Sequence, residues 1–176
     1  MPQAVTHILL PILLIALWRD IYKKRFSLHY ILIAGLGGVI PDIDIIIFWL
    51  TQNAALSFQT IQTHIILTPL VFLILFFSFK NANLKARICN IGRHKLKLSI
   101  IFLMLATGVI IHLMLDAIFG EPIMLLFPFS AAVFGINLTS YIPESLQELA
   151  MPTLDGLLLV IWIAYLELRH KISDFI

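Results

Sequence analysis

Every lysine and arginine of this chain falls into one of three clusters, and long apolar runs separate the clusters. The first holds Arg19, Lys23, Lys24 and Arg25. The second holds Lys80, Lys85, Arg87, Arg93, Lys95 and Lys97, and the third Arg169 and Lys171. Cytoplasmic loops of membrane proteins carry the Lys/Arg excess, so the clusters mark the inner face. Neither "TQNAALSFQT" (51–60) nor the piece from Gly120 to Pro152 has a basic residue, which places both outside. Spans at roughly 5–18, 28–50, 61–79, 98–119 and 153–169 satisfy this alternation. The expected fold is an all-α integral membrane protein of about five transmembrane helices, with the N-terminus outside and the C-terminus inside.

Composition agrees. Of the 176 residues, 60% are hydrophobic and 12% charged, and the mean hydropathy is +0.99. A soluble domain averages about 45–50% apolar and about 25% charged residues. No polar or low-complexity linker divides the chain, so one domain over 1–176 is expected. The single cysteine, Cys89, excludes an intramolecular disulfide and a CxxC metal site. "MPQAVTHILLPILLIALWRD" lacks a basic n-region and a small-residue cleavage site, and reads as a retained first span. The basic clusters lack the aromatic or motif context of a nucleic-acid surface and are read as cytoplasmic anchors.

The segment 121–142, "EPIMLLFPFSAAVFGINLTSYI", is apolar enough for a sixth span. A crossing there would carry Arg169 and Lys171 outside, and Pro122, Pro128 and Gly135 suit a bent segment. It is expected to be re-entrant or interfacial, followed by a short surface helix bearing Glu144 and Glu148 and then the last span.

Ionisable residues inside the spans are costly and mark function by default. His7 begins the first span. Asp42 and Asp44 come late in the second, in "GGVIPDID", His64 opens the third, and His112 and Asp116 end the fourth. Counted from the nearest basic boundary at about 1.5 Å per residue, His7 lies about 18 Å up, His64 about 24 Å and Asp42 about 26 Å. His112 and Asp116 lie about 22 and 28 Å up, so in a core about 30 Å thick all fall in the outer half. Imidazoles and carboxylates sharing one layer have the ligand types for Zn²⁺, Mn²⁺ or Mg²⁺. His112 and Asp116 are four residues apart on one helix face. Pro41 is expected to break its helix, and alternation in an extended or turn "PDID" segment would point Asp42 and Asp44 to opposite sides. The same residues also suit a proton or ion path. His29, His94 and His170 sit at the inner boundary and are read as interfacial. Gly35, Gly37 and Gly38 are read as sites of close helix approach rather than a phosphate loop, and Trp18 and Trp49 as interfacial anchors.

At these residues the chain resembles the membrane-bound, metal-dependent hydrolases typified by YdjM. The likeness rests on "THILLP", "GGVIPDID", "QTHIIL" and "TGVIIHLMLDAIFGEPIMLLFPF", in that order over about the first 130 residues. The last span adds nothing diagnostic. The resemblance implies metal-dependent hydrolysis of a phosphoester, with a distant similarity to zinc-dependent phospholipase C and its allied nucleases. It implies His7, Asp42, His64, His112 and Asp116 as metal ligands and places Asp44 at the second acidic position of its motif. One departure is clear. The family's His-Arg-Gly-x-Thr-His stands here as Gln59-Thr60-Ile61-Gln62-Thr63-His64, without the first histidine and the arginine.

The function expected from the sequence is therefore a hydrolase of the cell membrane with its site on the extracytoplasmic side. Its cofactor would be a divalent ion, zinc ahead of manganese or magnesium. Such an ion acidifies water and polarises a phosphoryl oxygen, and Asp44 or Asp116 would serve as general base. A site at this depth suits a lipid-like phosphoester substrate in contact with membrane lipid, and no nucleic acid. The rival readings are an ion- or proton-coupled transporter and a catalytically inactive scaffold.

Overall fold

A computed structural model describes residues 4–23, 26–43, 64–81, 88–91, 94–120 and 122–170. Asp44, Trp49 and the divergent stretch from Gln59 to Thr63 lie outside the described residues. The fold is almost wholly helical. Helix α1 spans Ala4–Ile21, α2 Leu28–Gly37, α3 Leu67–Asn81, α4 Leu98–Phe119 and α5 Glu144–His170. A hairpin of two short antiparallel strands, β1 (Ile88–Ile91) and β2 (His94–Lys97), joins α3 to α4 within the second basic cluster.

The chain is an integral membrane protein. Helices α1, α4 and α5 are long and apolar enough to cross a membrane, and α2 and α3 belong to shorter apolar helical stretches. Large apolar side chains are exposed on their outer faces, as on helices that meet lipid. Exposed Leu14, Leu17, Ile74, Phe77, Met114 and Val160 face outward.

The directions of the helices follow from their contacts. The starts of α1 and α3 meet the ends of α2 and α4 at the His/Asp cluster described below, so these four alternate up and down. Helix α5 runs parallel to α1. Midway along it Asp155 bonds Thr6, and near its end Tyr165 Oη donates to Asp20 Oδ2 at 2.7 Å. Between those polar ties Ile12, Ile15, Ala16, Ile31 and Ala34 form a buried core on which Met104, Trp162 and Tyr165 pack.

Small residues let the backbones approach. A Cβ at Gly37 would lie 2.6 Å from the Leu105 carbonyl oxygen, and one at Gly108 would lie 2.8 Å from Gly37 Cα. At Gly35 it would lie 2.8 Å from the Ile12 side chain. The glycines of "GLGG" are where α2 fits against α1 and α4.

Two local features differ from the expectation. Helix α2 ends at Gly37, ahead of Pro41, and Pro41 lies inside a 3-10 turn, Ile40–Asp42. Asp42 sits on this tight turn, where proline at the second position gives up an N–H that has no partner there. Second, the surface helix and the last span are one continuous helix. Pro152 is inside α5, and beside it Thr153 Oγ1 donates to the Leu149 carbonyl at 2.6 Å. Residues 122–143, the segment read as re-entrant or interfacial, form no spanning helix. They fold back by an Ile123–Phe134 bridge and tie to α4 through Ile136 N–H to the Ala117 carbonyl at 2.7 Å.

Candidate metal centre

Four helix ends deliver five ionisable side chains to one place. The first turn of α1 brings His7, and the 3-10 turn after α2 brings Asp42. The approach to α3 brings His64, and the last two turns of α4 bring His112 and Asp116. His7, His112 and Asp116 are buried at 2%, 0% and 2% exposure. Asp42 and His64 are partly open.

The spacing is that of a ligand shell. His112 Nε2 lies 3.0 Å from Asp116 Oδ2 and 3.7 Å from Asp42 Oδ1. His64 Nε2 lies 3.4 Å from each of the same two oxygens. Four donors tetrahedrally arranged about one ion at about 2.0–2.1 Å are separated from each other by about 3.4 Å. Four separations among Asp42, His64, His112 and Asp116, from 3.0 to 3.7 Å, thus lie in the range of donors around one ion of zinc size. His7 stands beside this four-residue cage. Its Nε2 lies 3.4 Å from the other oxygen of Asp116, Oδ1, and its ring stacks on His112 with centroids 3.9 Å apart.

The tautomer of His112 follows from its surroundings. Nδ1 lies 2.7 Å from the Gly38 carbonyl oxygen, an atom that only accepts, so Nδ1 carries the proton and donates. In a neutral ring Nε2 then presents a lone pair to the Asp42 and Asp116 carboxylates. Nε2 is fully buried and makes no hydrogen bond, and the same holds for Asp116 Oδ1 and His7 Nδ1. Lone pair against carboxylate in a dry interior is repulsive unless a cation lies between them. A histidine held from behind by a carbonyl is the usual second support of a metal ligand. Gly38 makes the support possible, since a Cβ there would collide with the His7 carbonyl.

The structure brings together five of the six residues singled out from the sequence, and Asp44 lies outside the described residues. Two groups of donors close enough to hold an ion occur among the described residues. They are His7 with His112 and Asp116, and Asp42 with His64 and His112. Because His112 has only Nε2 to offer, it serves one ion and not two.

The sequence reading missed one residue. Asp155, on α5, is buried against Thr6 next to His7. Counted from Arg169, it lies about 21 Å above the inner boundary, level with His7. Depth would have found it where motif did not.

The model of the YdjM inner membrane protein family matches residues 1–171 of the chain. No curated protein and no solved structure matches it.

Proposed function

We propose that this chain, which belongs to the YdjM inner membrane protein family, is a metal-dependent hydrolase that cleaves a phosphoester of a lipid-like substrate at the extracytoplasmic face. The observation that carries the reading is the placement of His112 Nε2. Its ring is held by the contact of Nδ1 with the Gly38 carbonyl, and Nε2 faces two carboxylates at 3.0 and 3.7 Å. Zinc is the ion that two imidazoles and two carboxylates suit best.

In this reading Asp42 Oδ1, His64 Nε2, His112 Nε2 and Asp116 Oδ2 hold the ion, and His7 orients Asp116 through its second oxygen. When bound, the ion supplies Lewis acidity, polarising a phosphoryl oxygen and making water easier to deprotonate. The protein side of the chemistry is positional. His7, His112 and Asp116 close the site from the interior, while Asp42 and His64, with side chains about a fifth exposed, form its accessible side. Asp116 is taken up as a ligand, so Asp44 is the carboxylate left to accept the proton of the attacking water. The chain has no lysine or arginine between Arg25 and Lys80 or between Lys97 and Arg169. No fixed cation of its own therefore meets a phosphate at this depth.

A substrate whose head group lies in the outer leaflet, such as a phospholipid or a polyprenyl phosphate, matches that depth. Purified protein mixed with vesicles of such lipids is expected to release the phosphorylated product and to stop when a chelator strips the ion. Product release that continues unchanged in the chelator, or in His64→Ala, contradicts the proposal.

A further inference from the structure

The last span carries a carboxylate that the cage does not use. Asp155 is 7% exposed on α5, and its Oδ1 accepts the Thr6 backbone N–H at 2.9 Å and the Thr6 hydroxyl. That N–H belongs to the first turn of α1, where the helix itself supplies no acceptor. At membrane depth no water replaces one, so an acceptor must come from another helix. Asp155 caps α1 from a position 149 residues away in the chain. Thr6 immediately precedes His7.

The same turn is held from the opposite side. Gly38 leaves room for the His7 carbonyl, and its own carbonyl takes the proton of His112 Nδ1. The His7 backbone is therefore fixed between α5 and the end of α2, and its ring is set between His112 and Asp116.

We propose that Asp155 is a positioning residue for the site: by capping the first turn of α1 through Thr6, it sets the His7 imidazole against Asp116. The consequence for metal binding rests on the hydrolase reading, and the effect on His7 does not. A clip that merely attached α5 would not move His7. The inner tie between Tyr165 and Asp20 is such a clip and serves as the control.

The test uses the full chain without added metal, with ¹⁵N-labelled histidine, in detergent micelles. Asp155→Leu and Thr6→Val are expected to shift the His7 ring resonances and leave those of His29, at the far end of α2, in place. Asp155→Asn keeps an oxygen for the Thr6 N–H and is expected to shift them less. Tyr165→Phe is expected not to shift them. Zinc affinity by chelator competition is expected to fall about tenfold in Thr6→Val, the scale of losing an outer partner of a ligand. His7 resonances that stay in place in Asp155→Leu, or that move equally in Tyr165→Phe, overturn the proposal. Asp155→Ala, read the same way, decides if Asp155→Leu does not fold. A wild-type protein that binds no zinc while the Asp155 variant still shifts His7 removes the metal reading and upholds the role of Asp155.

Discussion

His7 and Asp116 meet through the outer oxygen of the carboxylate. His7 Nε2 lies 3.4 Å from Asp116 Oδ1, while Oδ2 of the same group faces His64 and His112. The four imidazole and carboxylate positions of the cage are thus separable from His7, although the family resemblance implies His7 as a ligand too. The two roles differ in magnitude. His7→Ala is expected to weaken zinc binding about 10- to 100-fold, the cost of losing an outer partner. His64→Ala removes a ligand and is expected to abolish stoichiometric binding. Chelator competition on the two purified variants checks this, and equal losses would make His7 a ligand.

The glycine contacts predict a contrast along one residue type. Gly37→Ala and Gly108→Ala each force a methyl group into the backbone of the facing helix. Each is expected to cost about 1–3 kcal/mol, as overpacking does. Nothing lies within 4 Å of a Cβ at Gly156 on α5, so Gly156→Ala is expected to be neutral. Thermal unfolding in detergent separates the two outcomes.

How much of this was readable in the residues differs from place to place. The spans α1 and α4 were placed almost to their ends, because long apolar runs bounded by Lys and Arg leave little choice of register across a bilayer. The meeting of His7, Asp42, His64, His112 and Asp116 was readable as a shared depth, since helical rise converts sequence distance into height. Depth says nothing of rotation about a helix, so which oxygen of Asp116 faces His7 and which faces His64 and His112 was not readable. Nor was the tautomer of His112, which is set by Gly38, 74 positions away. Asp155 escaped because it lies alone in a span without a motif. The early end of α2 and the turn holding Asp42 depend on glycine packing between helices, which the proline did not reveal.

The tie at the inner ends of α1 and α5 is predicted to be structural only. Tyr165→Phe removes the hydrogen bond to Asp20 and is expected to lower stability by roughly 0.5–1.5 kcal/mol, with zinc affinity unchanged. Reduced affinity in a variant of normal stability would mean that the two ends of α5 are coupled.

The basic clusters predict an extracytoplasmic site, and that orientation can be checked. In a Cys89→Ser background, Ser140→Cys is expected to react with a membrane-impermeant maleimide in intact cells. Arg169→Cys is expected to react only after the membrane is opened. The reverse pattern would put the cluster on the cytoplasmic side.

The central claim is that the convergent His/Asp atoms hold one divalent ion. Elemental analysis of the detergent-purified protein tests it most directly, with wild type compared against the double variant His112→Ala plus Asp116→Ala. The account predicts one divalent ion per folded wild-type chain and none in the double variant. A folded wild-type protein with no stoichiometric metal, or a double variant with the same metal content, would contradict it.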